Sequence, residues 1–330
     1  MARGQPSLFD DAPLPAREPA LAALARRIPP AVRFGTSTWT YDGWAGDVYQ
    51  RHYRGAEPAR RLEEYARYPL FGTVGMDSAF YDPPAEEVLA AYARALPPGF
   101  PCVSKVWDRI TARRLSGDRR WGQLAGMVNP DFLNAQLFTD AVLLPYARAF
   151  RDHAACFVFE FQAMRGRDLP DPTIWADELS GFFERLPHDF RYAVELRNPE
   201  LLTDLHGAVL ASYGVAHVFN SWAEMPPIGA QLALPWTFTA DFTVARALLK
   251  PGRPYADAVR LFEPYARVKE ELPELRADLV RLIDETVRRR IEAFILVNNR
   301  AEGNAPETIR GIVERLSERE VGERGEGKGT

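Results

Sequence analysis

Cysteine, histidine, net charge and long apolar runs are all scarce in this chain, and each scarcity removes a class of protein. Only two cysteines occur in 330 residues, Cys102 and Cys156. Both lie inside apolar runs without CxxC spacing, so they read as buried, reduced thiols, not as a disulfide framework or a redox pair. Histidine occurs five times, at His52, His153, His188, His206 and His217, with no HExxH or HxE. That excludes the usual zinc motifs built on imidazoles. A formal net charge of −4 excludes a generic nucleic-acid coat, so any contact with nucleic acid has to be local. No run of 18 or more apolar residues is present, and Met1 to Pro6 carries no apolar signal region. The expectation is a soluble, cytoplasmic protein. No GxGxxG or GxxxxGK[ST] follows the first strand candidate, which counts against an open nucleotide-binding sheet.

What is present is apolar: 46% hydrophobic and 12% aromatic residues, ample for a large core. Short apolar runs recur near 32–37, 72–77, 101–106, 156–161, 190–196, 215–220, 242–247 and 292–298, and nearly all stop at a polar residue. Helical patterns fill the gaps, among them 58–68, 84–95, 129–150, 174–185 and 272–291. Alternating strand and helix predicts a parallel sheet, and eight such units predict a single closed (β/α)8 TIM-type barrel over 32–316. Residues 1–31, rich in Pro, Ala and Arg, read as a flexible N-terminal tail with a short helix near 21–27. Residues 317–330 read as a charged C-terminal tail.

Period-two parity places the polar groups. In the fifth run Tyr192, Val194 and Leu196 share one face and Ala193, Glu195 and Arg197 the other, pointing into the barrel. In the fourth, Phe157, Phe159 and Phe161 face outward while Val158, Glu160 and Gln162 face inward. Lys105 is in phase with Val103, and Asn220 with Ala216 and Val218. Lys105, Glu160 and Glu195 should therefore converge at the carboxyl ends of the strands, where barrels of this kind hold their sites.

Five motifs in order resemble the YecE-like family, a bacterial and archaeal barrel family of unknown function. Gly35-Thr-Ser37-Thr-Trp39-Thr-Tyr41-Asp-Gly-Trp44 is similar to its G-x-S-x-W-x-Y-x-x-W opening, and Asp77-Ser-Ala-Phe80-Tyr81-Asp-Pro83 to its N-x-x-F-Y-x-P. Lys105 with Arg109-Ile-Thr111 resembles a K…ITH segment, Glu195-Leu-Arg197 an E-x-R-H, and Asn298-Asn299 with Ala305 a final N-N…A. The chain departs from the pattern at Gly75 (usually Glu), Asp77 (usually Asn), Glu160 (usually Gln), Asn220 (usually Asp) and Leu248 after Arg246 (usually His). A mechanism that needs that glutamate and histidine cannot operate here unchanged.

The residues themselves offer Lys105, Glu160, Glu195 and Arg197 as the catalytic cluster: a carboxylate as base or metal ligand, a guanidinium as clamp for phosphate or carboxylate, a lysine as electrophile. Ser37, Trp39, Tyr41, Trp44, Asp77, Tyr81, Arg109, Asn220, Arg246, Asn298 and Asn299 are the candidate substrate-binding groups. Asp77, Glu160 and Glu195 with Asn220 and Asn298 form an oxygen-donor set for Mg²⁺ or Mn²⁺. From Lys105 to Arg120 six cations stand against two carboxylates, flanked by Trp107 and Trp121. Such a stretch suits phosphates or stacked bases. The functional expectation is an enzyme acting on a phosphate-bearing small molecule or on single-stranded or damaged DNA. A non-catalytic ligand-binding or scaffold barrel is the alternative, and a sugar isomerase or two-carboxylate glycosidase a third reading. In the tail, Gln5-Pro-Ser-Leu8-Phe9 resembles the pentapeptide that binds the bacterial sliding clamp, with Gln5 on the pocket rim and Leu8 and Phe9 in an apolar cleft.

Overall fold

Apolar runs that bury both faces are satisfied in a parallel sheet covered on both sides, and the eight here curl into a barrel. The structure, a computed structural model, describes residues 19–53 and 55–326, with side-chain surroundings up to residue 316. The clamp-like motif at Gln5, Leu8 and Phe9 lies outside the described residues. Eight strands follow in order: β1 (Val32–Thr36), β2 (Val74–Met76), β3 (Cys102–Lys105), β4 (Ala154–Phe161), β5 (Tyr192–Leu196), β6 (Ala216–Asn220), β7 (Phe242–Ala247) and β8 (Glu292–Val297). All pair in parallel in the order β1-β8-β7-β6-β5-β4-β3-β2. The fold is the expected (β/α)8 barrel.

Closure between β1 and β2 rests on a few specific bonds. The amides of Gly72 and Thr73 both donate to the Phe34 carbonyl. Beside them the Tyr65 hydroxyl accepts from the Thr36 amide at 2.8 Å and reaches the Thr73 carbonyl at 3.0 Å, taking the place of a ladder bond. The strands pass so close that a Cβ on Gly75 would stand 2.8 Å from the Ser37 carbonyl oxygen. A glutamate at that position, as in the related motif, has no room here.

The parity argument holds strand by strand. Val103, Cys156, Val158, Ala193, Val218, Val244 and Leu296 fill the barrel interior. Phe157, Phe159, Phe161, Tyr192, Val194 and Leu196 pack outward against helices such as Pro172–Phe183. One helix differs from expectation. The pattern read as 129–150 is helical only over residues 135–149, entered through Asn134, whose side chain caps the Leu137 amide. Its middle, Thr139–Leu143, is a π turn. Pro145 has no amide to donate and its ring crowds the carbonyl four residues back, so the helix widens just before it. The last helix, Ala305–Glu326, runs beyond residue 316, and a short helix, Pro19–Ala25, precedes β1 with Leu21 buried. Among the described residues no helix is long and apolar enough to cross a membrane.

A buried histidine pair lies between β6 and the helix Asp204–Ser212. His206 Nδ1 accepts from the Trp175 indole at 3.2 Å, so its proton sits on Nε2, which has no partner. His217 Nε2 faces the Gln231 carbonyl oxygen at 3.4 Å, and its Nδ1 is likewise unpartnered. Burial pushes both down, His206 to about 3 and His217 to about 4. A folded-state pKa below the unfolded value of about 6.5 means that the unfolded chain binds more protons. The stability is therefore full above that value and is lost as pH falls through the window towards 4. Thermal melts should drop steadily below pH 6.5, by roughly a kcal/mol or more per pH unit for each histidine. The paired variant His206→Phe with His217→Gln should flatten that slope, and an identical slope in both proteins would refute the assignment.

Candidate functional site

Glu160 and Glu195 stand opposite each other on β4 and β5 and share the inward face. Like charges placed so in a dry interior repel, unless cations lie between them. Two guanidinium groups supply this. Arg197 reaches Glu160 at 2.8 Å and Glu195 at 2.6 Å. Arg246, arriving from β7, reaches Glu160 at 3.0 Å, Glu195 at 2.5 Å and Asp77, just past β2, at 2.6 Å. Lys105 at the end of β3 completes the set, 2.8 Å from Glu160 and 4.0 Å from the centre of the Phe80 ring. Three cations thus balance three carboxylates across five strands or strand ends.

Burial alone would raise the Glu160 carboxyl, but Arg197, Lys105 and Arg246 outweigh it and hold the group well below the usual carboxylate range. Burial opposes the charge on Arg246 too, and Asp77, Glu195 and Glu160 outweigh it, so its guanidinium stays protonated beyond the ordinary range. A permanently ionised Glu160 is a counter-ion, not a proton donor. Glu195 is 0% exposed and sits beneath the floor, out of reach of a ligand. Glu160 and Glu195 therefore cannot serve as the two carboxylates of a glycosidase.

Above this network opens a cavity of about 640 Å³, lined by Asp77, Lys105, Glu160, Arg197 and Arg246 on its floor and by Tyr41, Phe80, Tyr81, Trp222 and Tyr255 on its walls. Thr38, Gln162, Leu248, Asn298 and Arg300 also face it. The Arg197 guanidinium lies 4.0 Å from the centre of the Trp222 ring, and its Nε and Nη1 have no hydrogen-bond partner. Leu248, where the related motif has histidine, presents an apolar wall. The divalent-metal arrangement does not fit this donor set. Glu160 Oε2 is already met by Lys105, Arg197 and Arg246, and the described residues contain no group of three His, Cys, Asp or Glu arranged to hold a metal ion.

Of the other candidates Asn298 stays at the cavity and the rest scatter. Trp39 and Trp44 are buried in the outer packing, where the Trp39 indole donates to the Pro58 carbonyl and its ring meets Tyr92 edge-on. Ser37 is buried beneath the mouth without a partner for its hydroxyl. Asn220 hydrogen-bonds the Leu196 carbonyl, Trp222 and Gln231, and so shapes the β6 loop. Asn298 caps the turn that carries Arg300, and Asn299 binds the Ala305 amide. Arg109 turns away to Asp131.

The charge excess of the 105–120 stretch also disappears on folding. Distant Asp131, Glu160, Asp168 and Glu178 pair with Arg109, Lys105, Arg114 and Arg113, and Arg120 pairs with Asp108. Parity along strands could not reveal Trp222, Tyr255 and Arg300. They sit in the connections after β6, β7 and β8, Tyr255 at the start of the helix Tyr255–Phe262 and Arg300 in the short helix Asn299–Glu302, where strand parity does not extend.

The family model described as a protein of unknown function, DUF72, matches residues 33–328. The chain belongs to the DUF72 family. The match agrees with the YecE-like resemblance of its motifs. No curated protein matches it. A DUF72 family protein of Thermotoga maritima MSB8 shares 20% identity over 87% of this chain and 99% of that one, with a TM-score of 0.59. One from Enterococcus faecalis V583 shares 18% over 87% and 97%, with a TM-score of 0.58. At such identities the likeness establishes the fold of this DUF72 protein, and its chemistry has to be argued from its own residues.

Removing one partner of a buried charge cluster leaves the others uncompensated, a loss of about 3–5 kcal/mol. Arg246→Met, which strips Asp77, Glu160 and Glu195 at once, should destabilise by about that amount in urea unfolding. Lys105→Met, which frees only one contact at the cavity wall, should cost clearly less. Equal stabilities of the two variants would show that Arg246 does not tie the mouth together.

Proposed function

We propose that the mouth of this barrel binds a small phosphate ester and acts on it by electrostatic catalysis without a bound metal. The observation that carries this is the charge balance of the cavity. The carboxylates Asp77, Glu160 and Glu195 are matched by Lys105, Arg197 and Arg246, and Arg300 on the wall is an additional cation. The surplus is positive, in a cavity of the size that takes small molecules. Aromatic walls at Tyr81, Trp222 and Tyr255 suit the flat or sugar-like body of such an ester. Lys105 and Arg197 would stabilise charge developing on the phosphate oxygens. Asp77, with one oxygen on Arg246 and its carboxylate on the cavity wall, is placed to take a proton from an attacking water.

The internal pairing of Arg109, Arg113, Arg114 and Arg120 favours a small ester over a polynucleotide. The binding-only alternative draws on a specific observation as well: no histidine lines the cavity among the described residues, and Leu248 stands where one would be expected.

A panel of phosphomonoesters and phosphodiesters, followed by calorimetry and by phosphate release, separates these readings. Wild type should bind and turn over at least one of them. Arg197→Met and Lys105→Met should each lower turnover by about 10²–10³, and Asp77→Asn should abolish turnover while retaining binding. Binding without turnover in wild type would establish the non-catalytic barrel, and absence of binding to every ester would overturn the phosphate reading.

A further inference from the structure

Arg300 is the one cation of the cavity that meets no carboxylate among the described residues. It sits on a short turn directly after β8, held by the Asn298 side chain, whose Oδ1 accepts from the Arg300 amide at 3.0 Å and from Nη1 at 3.2 Å. Its guanidinium carbon lies 4.5 Å from the centre of the Tyr255 ring and 6.0 Å from that of Tyr265. The Arg300 Nε is buried without a hydrogen-bond partner, and the Tyr265 hydroxyl lies against the guanidinium. Tyr41 packs edge-on against Tyr265 with ring centres 5.3 Å apart and faces the same cavity. A guanidinium ringed by phenols and an amide is unusual in a protein whose other buried arginines all find acids. Neutral donors around an uncompensated cation make a receptor for an anion.

We propose that Arg300, Tyr41 and Asn298 form the seat of the ligand's phosphate group, with Tyr265 supporting the guanidinium from behind. The Lys105–Glu160–Arg197 cluster would then face the ester-bond side of that phosphate, where charge develops in the reaction. This assignment rests on the phosphate-ester reading and gives it a direction across the cavity. Donors come from the turn after β8 and from the loop after β1, and so approach from more than one direction. That suits the three oxygens of a tetrahedral phosphate better than the two coplanar oxygens of a carboxylate. Burial pushes the Tyr41 hydroxyl up to about 12, so it stays protonated and able to donate at neutral pH. Tyr255, half exposed on the rim, backs the guanidinium and fixes its plane.

Calorimetry with inorganic phosphate, ribose 5-phosphate, ribose and acetate tests the seat on the full chain. Wild type should bind the two phosphates and should bind ribose and acetate far more weakly. Arg300→Met should weaken both phosphates by about 10- to 100-fold, the range expected for losing a charged hydrogen-bonding partner. Arg300→Lys should recover part of that, having the charge without the fork. A second measurement needs no variant: phenylglyoxal labelling followed by peptide mass spectrometry should show inorganic phosphate, and not acetate, protecting Arg300.

Unchanged phosphate affinity in Arg300→Met, with affinity lost in Arg197→Met, would put the anion at the other end of the cavity. The seat would then be wrong and the phosphate-ester reading would stand. Absence of protection at Arg300 in a protein that binds phosphate would overturn the seat in the same way. Failure of wild type to bind either phosphate would remove both.

Discussion

Two glutamates facing one another on adjacent strands impose a condition on everything at this end of the barrel. Glu160 and Glu195 cannot both be ionised in a dry interior unless positive charge lies between them, and the fold meets that condition with Arg197 and Arg246. The consequences propagate. Arg246 has to reach inward from β7, which draws in Asp77 from the end of β2 as a further partner. Arg197 has to lie flat under Trp222, which gives the cavity one of its walls. Lys105 pairs with Glu160 alone, which keeps its ammonium at the cavity surface. The floor is therefore rigid, charged and neutral in sum, and any net charge in the cavity has to come from the loops above it.

How much of this could be read from the sequence follows from the physics of strands. Alternation along β4 and β5 sorts side chains into the barrel or onto the helices, and a parallel sheet permits no other arrangement, so Glu160, Glu195 and Arg197 could be placed together before any coordinates. Alternation says nothing of depth. Glu195 is one pleat deeper than Arg197, and that single step separates a buried counter-ion from a group at the cavity wall. It also says nothing of the connections between strands, and Trp222, Tyr255 and Arg300 were lost there.

Local charge counting failed for a related reason. Six cations against two acids between Lys105 and Arg120 look like a polyanion surface only while the stretch is considered alone. The barrel brings four acids to it from β4 and from segments near 131, 168 and 178, and sequence distance gives no hint of that. The helix misread as 129–150 is the milder case. The apolar period was right, and the proline that widens it was in plain view at position 145, but whether Pro breaks or merely distorts a helix depends on packing against β4.

The departures from the related motifs become coherent on this geometry. Gly75 is dictated by the close approach of β1, so an acid cannot stand there. Asp77, two residues on, supplies a carboxylate instead, and it is bound to Arg246. Glu160 in place of an amide adds one negative charge at the centre of the floor, and three cations converge on that single oxygen. Leu248 in place of histidine removes a titratable group from the wall. Of these changes Leu248 removes a group that titrates near neutral pH, while Asp77 and Glu160 replace neutral amides by carboxylates paired with Arg246, Arg197 and Lys105. The floor is neutral in sum, so the net positive charge of the mouth is set by Arg300, the one cation of the cavity without a carboxylate partner among the described residues.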